Sequence, residues 1–162
     1  MSGERADEGG LDAVVSAVLT GSRLLVSIAA RSLASVDEAV TLPQFRMLVV
    51  LAGRGEAKLV TLAEALDVNP STAMRMADRL VNANLIVRAT NPDNRRESLI
   101  GLTPEGRRIV DEVTARRSAE IEKIVSRLTS DQRQALVHAM AAFNEAGGEP
   151  PTAAHPLGWP SF

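Results

Sequence analysis

The sequence predicts a mainly α-helical fold that contains one small β-hairpin. Apolar residues recur at helical spacing over most of the 162 residues, and helix-start signals precede several of these stretches. Only the segments LIVRA (85–89) and SLIGL (98–102) differ, because they are short and consist largely of aliphatic and β-branched residues. We therefore expect four helices, a hairpin and two further helices, in that order.

The first predicted element is a long amphipathic helix over residues 11–34, which follows a flexible N-terminus over residues 1–10. Apolar side chains recur every three or four positions along this helix, so that they share one face. These side chains are Leu11, Val14, Val15, Val18, Leu19, Leu25, Val26, Ala29 and Leu33.

Two shorter helices are predicted next, each after a Thr-x-x-Gln or Thr-x-x-Glu pattern that is typical of a capping box. Thr41 and Gln44 precede the apolar run FRMLVVLA, which stops at Gly53. The same pattern at Thr61 and Glu64 predicts a second, shorter helix.

A fourth helix is predicted over residues 69–82, with Asn69 as its N-cap and Pro70 in its first turn, where the missing N–H costs nothing. The four-residue link DVNP to the preceding helix is what a helix-turn-helix requires. One face of the fourth helix should pack inward through Ala73, Met76, Ala77, Leu80 and Val81. The other face carries Ser71, Thr72, Arg75, Asp78, Arg79 and Asn82.

The predicted hairpin follows this helix directly, and its two strands are joined by the eight residues TNPDNRRE. This connection is longer than a tight hairpin needs, so it should project as a loop with Arg95 and Arg96 near its tip. A helix-turn-helix followed by an arginine-tipped hairpin is a winged helix, which we assign to residues 41–103.

The last two predicted helices begin at Thr103-Pro104 and at the capping box Thr129-x-x-Gln132. Together with residues 11–40, residues 104–146 carry more apolar surface than one small module can cover, which indicates a dimerisation region. Residues 147–162 form a Pro-rich C-terminal tail.

Composition excludes several functions. The chain has no Cys, which rules out disulfides, thiol redox sensing and thiolate metal sites. No spacing pairs His138 with His155, and no Ser/His/Asp set or phosphate-binding glycine loop is present, so we expect neither an enzyme nor a cofactor. Without a signal peptide or an uninterrupted run of about 18 apolar residues, we expect a cytoplasmic protein with no membrane partner.

The charge distribution points to a local contact with an anion. The formal net charge is −2, but residues 69–108 contain seven Arg against four Asp and Glu. In a helix-turn-helix the second helix enters the major groove of DNA by its N-terminal end, where an arginine can donate two hydrogen bonds to a guanine. Arg75 lies one turn into the helix, within reach of base edges, whereas Arg79 is better placed for a phosphate. The expected DNA contacts are Pro70, Ser71, Thr72, Arg75, Arg79, Arg95 and Arg96.

Each of these features has a simpler interpretation. The outward face of the fourth helix could be a solvated surface on which Arg75 pairs with Asp78. The loop that holds Arg95 and Arg96 could be an ordinary exposed turn instead of a wing tip that enters the minor groove.

The segments LPQFRMLVVLA and TLAEALDVNPSTAMRMADRLVNANLIVRATNPDNRRESLIGLTPEGRRI are similar to the core of the MarR family of regulators. The resemblance covers roughly residues 11–145 and implies a homodimeric winged-helix transcription factor that binds a palindromic double-stranded operator. It also implies that the first and last helices form the dimer interface. The resemblance further implies a repressor that a small anionic or phenolic effector releases from DNA.

Two positions depart from the family pattern. Asn94 replaces an acidic residue in the wing, so the wing salt bridge is either absent or rebuilt through Asp93. Asn84 stands where glycine is usual, and asparagine is the most common substitute for glycine in the left-handed conformation.

By family position, the candidate effector-binding residues are Arg46, Met74 and Arg88, with Arg31 as a weaker addition. They could equally be surface or packing residues, and Arg88 could simply bond Asp78 or a carbonyl. An alternative function is a winged-helix dimer that acts by protein–protein contact without binding DNA.

Overall fold

The structure, a computed structural model, describes residues 2–92, 94 and 98–148, and the side chains of the first helix from Gly10 onward. Asp93, Arg95, Arg96 and the part of the Pro-rich tail beyond residue 148 lie outside the described residues. The described helices are α1 (Ser2–Ala34), α2 (Leu42–Arg54), α3 (Leu59–Ala65), α4 (Pro70–Asn82), α5 (Pro104–Val125) and α6 (Ser130–Ala146), and the strands are β1 (Ala57–Lys58), β2 (Ile86–Thr90) and β3 (Ser98–Leu102).

The first helix is longer than predicted. It begins at Ser2 and not at residue 11, so it includes residues 2–10, which were predicted to precede it as a flexible N-terminus. The reason is local, because this segment contains Ala, Arg and Glu, which are good helix formers. Gly9 and Gly10 each cost about 1 kcal/mol relative to alanine but do not end the helix.

The predicted helix starts at Thr41, Asn69, Thr103 and Thr129 are confirmed. At Thr41 the capping box is complete, because its side chain accepts a hydrogen bond from the N–H of Gln44 and the Gln44 side chain accepts one from the N–H of Thr41. Thr129 and Gln132 form the same pair. The threonine at 103 and the asparagine at 69 each cap one backbone N–H of the following helix.

Two details of the second and third helices were predicted incorrectly. α2 continues past Gly53 and ends at Arg54. The next residue, Gly55, is the C-cap and has a φ of 78°. α3 begins at Leu59, so Thr61 lies inside the helix and does not cap it. The cause is the strand β1, which was not predicted. β1 pairs with β3 and ends at Lys58, so the helix begins at the next residue, two positions before Thr61.

The sheet has three antiparallel strands in the order β1-β3-β2. The hairpin of β2 and β3 is confirmed, with Ile86 opposite Leu102 and Thr90 opposite Ser98 at its ends. β2 starts one residue later than predicted, because Leu85 belongs to the turn that leaves α4.

One hydrophobic core joins the helix-turn-helix to the sheet and to α5. α4 contributes two fully buried alanines and Leu80, as its apolar periodicity predicted. Because alanine is small, α4 lies close to the core helices. The largest fully buried side chains of the core are Met47, Leu48, Leu51, Leu62, Leu80, Ile86, Ile100, Ile109, Val110 and Val113.

α5 connects this core to the C-terminal end of α1. Arg116 donates a hydrogen bond to the Ser35 carbonyl at 3.0 Å and pairs with Glu112 at 2.7 Å. Closer to the start of α5, hydrogen bonds from Arg108 hold the pKa of Glu105 below its usual value, so that this pair stays charged at mildly acidic pH.

Much of α1 and all of α6 bury little of their apolar surface within the described chain. No residue of α6 is buried, and Leu136, Val137, Met140 and Phe143 are exposed. Residues 11–26 of α1 expose a second apolar surface, which contains Leu11, Val14, Val15, Val18, Leu19, Leu24, Leu25 and Val26. A soluble monomer rarely exposes so many large apolar side chains on two helices.

The segment Gly10–Ala34 also has the length and average composition of a membrane-spanning helix, with a mean hydropathy of 1.8. No uninterrupted apolar run marks this segment in the sequence, because Asp12, Arg23 and several hydroxyl residues interrupt it. Helices that pack against a partner subunit can have the same length and hydropathy. These two properties therefore do not establish a membrane span.

A close backbone contact fixes the start of α5 against the end of the helix-turn-helix. The N–H of Thr103 donates to the Leu85 carbonyl at 3.1 Å, and Gly106 lies directly over the same carbonyl. A Cβ atom at position 106 would stand 2.1 Å from the Leu85 oxygen, which is far inside contact distance.

We therefore predict that Gly106→Ala lowers the free energy of unfolding by about 3 kcal/mol, because the two backbone segments must separate to admit the methyl group. Urea unfolding followed by circular dichroism measures this change. Gly10→Ala is the matched control, since no atom lies within 4 Å of its added Cβ, and it should be neutral or stabilise by up to about 1 kcal/mol. An unfolding midpoint of Gly106→Ala equal to that of the unsubstituted chain would contradict the contact.

Candidate nucleic-acid interface

The N-terminus of α4 is built as an exposed and well-ordered helix start. The Asn69 side chain accepts a hydrogen bond from the Thr72 N–H at 2.8 Å and another from the Ser71 hydroxyl at 2.7 Å. Pro70 occupies the first turn and is exposed together with Ser71. Short polar side chains and the positive end of the helix dipole therefore meet at one surface, which favours an anion.

The outward face of α4 consists of Ser71, Thr72, Arg75, Asp78, Arg79 and Asn82, and all except the half-buried Thr72 are exposed. Arg75 donates a hydrogen bond to the Thr72 hydroxyl at 3.2 Å. Within the described part of the chain, neither Arg75 nor Arg79 forms an ion pair with a carboxylate. Both guanidinium groups thus keep most of their donors available to a partner.

Asp78 takes a different partner from the one that the simpler interpretation assigned to it. Its carboxylate accepts a hydrogen bond from Arg88 of β2, with 2.6 Å between the Arg88 Nη2 and Asp78 Oδ1 atoms. The same Nη2 lies 3.3 Å from the sulfur of Met74. Arg75 and Asp78 therefore do not form an ion pair. The bond between Arg88 and Asp78, which was an open alternative in the sequence, is formed.

The turn after α4 sets the direction in which the hairpin leaves the helix. Asn84 has a φ of 58°, the left-handed conformation expected for this position, and the Leu85 N–H donates to the Leu80 carbonyl at 2.9 Å. The Thr103 hydroxyl donates to the Asn84 carbonyl at 2.8 Å. The hairpin is thus anchored at its base to both α4 and α5.

The tip of the wing is only partly described. Asn94 donates through its N–H to the Asn91 carbonyl at 3.2 Å, which turns the chain beyond β2. The predicted wing arginines, Arg95 and Arg96, follow this turn and lie outside the described residues, as does Asp93.

The candidate effector residues do not form one site. Met74 and Arg88 are in contact, but Arg46 is exposed on α2 and forms no hydrogen bond with either of them among the described residues. Arg31 bonds the Ser27 hydroxyl and lies 4.0 Å from Glu120. The structure contains a groove of about 440 Å³ between α3 and α4 and one of about 230 Å³ where α1 approaches α2, and none of these four residues lines either groove.

Sequence comparison identifies the family. The model of the MarR family matches residues 40–98, which hold most of the winged helix. The transcriptional repressor MdtR of Bacillus subtilis is 36% identical over 109 residues, which are 67% of this chain and 70% of MdtR. The chain belongs to the MarR family. It is thus a MarR-family transcriptional regulator with a winged-helix fold, as the resemblance implied.

Structural comparison agrees with this MarR-family assignment. RV1404 from Mycobacterium tuberculosis is 50% identical in sequence and has a TM-score of 0.81, over 88% of this chain and 97% of that one. The fold also matches a mutant of MepR from Staphylococcus aureus that was solved bound to an oligodeoxyribonucleotide, with a TM-score of 0.61 and 19% identity. That structure covers 82% of this chain and 96% of the MepR chain, and at this identity it supports the fold alone.

Proposed function

We propose that this MarR-family chain is a cytoplasmic repressor that binds a palindromic double-stranded operator as a homodimer and is released by a small effector. The observation that carries the DNA-binding proposal is the geometry of α4. Its inner face is fixed by fully buried alanines, and its outward face presents hydroxyl groups and two arginines without carboxylate partners in the described chain.

Each group on α4 has a distinct proposed role. Pro70, Ser71 and Thr72 lie at the helix end that would enter the major groove first, where short side chains permit close approach. Arg75 follows one turn later and reads a base edge, because its fork of donors matches a guanine. Arg79 lies at the next turn and binds a phosphate, which contributes affinity without sequence preference.

The wing supplies the second proposed DNA contact. The hairpin is anchored beside α4, so its loop would reach the groove next to the one that α4 occupies. Arg95 and Arg96 are expected to enter the minor groove, where the electrostatic potential of DNA is most negative.

Dimerisation is proposed from the two exposed apolar surfaces of α1 and α6. Two copies that bury these surfaces against each other would hold two α4 helices about one turn of DNA apart, which is what a palindromic operator requires. This use also accounts for the hydropathy of residues 10–34 without a membrane. We expect such a protein in the cytoplasm, with its DNA.

The effector proposal rests on Met74 and Arg88, which lie beside α4, and on Arg46 and Arg31 by family position alone. A small anionic or phenolic molecule at Arg88 would compete with Asp78 for the guanidinium and so disturb the outward face of α4. Repression is supported by MdtR, whose name describes a transcriptional repressor.

Fluorescence anisotropy tests the DNA-binding proposal against its alternative. The purified protein is first used to enrich a duplex from a random library, and its affinity for this selected duplex is compared with that for a scrambled duplex of the same composition. A preference for the selected duplex and a steep loss of affinity with salt are expected. If no duplex is enriched and no binding occurs in dilute buffer, DNA binding is refuted and the protein–protein alternative is favoured.

Arg75→Ala is expected to lower the affinity ratio between the selected and the scrambled duplex by roughly tenfold or more, because one bidentate contact with a base is lost. The ratio is measured by anisotropy at one salt concentration. The matched control is Arg127→Ala, which removes an exposed arginine outside the winged helix and should leave the ratio unchanged. An unaltered ratio in Arg75→Ala would refute a base-reading role.

Arg96→Ala is expected to weaken binding to both duplexes and to flatten the salt dependence. The slope of log affinity against log salt should become shallower by about 0.9 for each cation lost from the DNA surface. Arg127→Ala again provides the control. An unchanged slope would show that this wing arginine does not contribute to binding DNA.

Phe143→Asp is expected to weaken dimerisation by at least about thirtyfold, because it places a charge in the proposed apolar contact. Sedimentation velocity over a range of protein concentrations measures the change. Val60→Asp is a matched control, since Val60 is 51% exposed and Phe143 is 53% exposed, but Val60 lies outside α1 and α6. If the unsubstituted chain is a monomer, this interface does not exist. If Phe143→Asp dimerises as strongly as Val60→Asp, Phe143 does not lie in the interface.

A further inference from the structure

Asp78 is an unusual residue on a surface proposed to meet DNA. It is the sole acidic residue of α4, it lies three residues after Arg75 and it adjoins Arg79. Its side chain is half exposed on the outward face. An unpaired carboxylate at this place would repel phosphates, and it would also attract Arg75 across one turn of the helix.

Arg88 is the partner of this carboxylate. It reaches Asp78 from β2, and the 2.6 Å separation is that of a strong charge-assisted hydrogen bond. The Met74 sulfur contacts the same guanidinium nitrogen, so Arg88 is held against α4 at two points. With Asp78 engaged in this way, Arg75 bonds only the Thr72 hydroxyl among the described residues, a neutral partner that it can readily exchange for a base.

We propose that Arg88 is a positioning residue for specificity, which occupies the Asp78 carboxylate and thereby leaves Arg75 available to read a base. Arg88 acts through Asp78 and does not itself contact DNA. This inference rests on the proposed function, because availability of Arg75 matters only if α4 binds a duplex. It adds to that function a carboxylate, Asp78, whose partner decides whether Arg75 is available to bind a base.

A double-mutant cycle tests the proposal with the same selected and scrambled duplexes. Arg88→Ala in the otherwise unsubstituted chain is expected to lower the affinity ratio by about tenfold, since Asp78 then pairs with Arg75. In an Asp78→Asn background the same substitution should change the ratio by less than about twofold, because no carboxylate remains to capture Arg75.

Two variants separate positioning from other roles. Arg88→Lys keeps a cation opposite Asp78 and should retain the ratio within about threefold, as expected for a partner whose charge matters most. Asp78→Asn leaves Arg88 in place and should retain the ratio, and a loss of the ratio in this variant would overturn the inference even if Arg88→Ala unfolds. If Arg88→Ala lowers the affinity ratio equally in both backgrounds, Arg88 does not act through Asp78 and the inference is overturned.

A measurement without DNA distinguishes this inference from the proposed function. The Nε–H signal of Arg75 is recorded by ¹H–¹⁵N NMR in the free protein. Arg88→Ala should shift this signal and slow its hydrogen exchange, and adding Asp78→Asn should reverse both changes. An Arg75 signal that is the same in all variants overturns the inference whether or not the chain binds DNA. Failure of the unsubstituted chain to bind any duplex overturns the proposed function, and with it the role of Arg88 in specificity, even where the Arg75 signal changes as expected.

Discussion

The contact of Ala73 and Ala77 with the core is the constraint on which the rest of the winged helix depends. Both residues have no exposed surface, so α4 packs directly against its neighbours at these two positions. A larger residue at either position would push α4 outward and rotate its polar face away from its present direction. The cap at Asn69 and the left-handed turn at Asn84 then hold the two ends of a helix whose middle is already fixed.

The parts of the fold that depend on local chemistry could be predicted from the sequence. The caps at Thr41 and Asn69 are examples, because each is decided by a few neighbouring atoms. The start of α3 could not be predicted in this way. It depends on the pairing of Ala57 with Ile100, residues that are far apart in the chain, and a strand of two residues has no periodicity to detect.

The candidate site shows the same division between local and long-range information. The inward and outward faces of α4 follow from helical spacing, and the structure agrees with that assignment. The partner of Asp78 does not follow from spacing, because Arg75 can reach it along the helix and Arg88 can reach it from the neighbouring strand. Only the three-dimensional position of β2 relative to α4 selects Arg88, and that position is set by the turn at Asn84.

The exposure of α6 has a thermodynamic consequence for the proposed dimer. A helix with no buried residue in its own chain contributes little to the stability of that chain until a second copy covers it. Folding and association would then be linked by mass action, and each tenfold dilution of the protein would cost the assembled state about 1.4 kcal/mol. The cellular abundance of such a regulator would therefore set not only how much of its operator is occupied but also how much of the protein survives proteolysis.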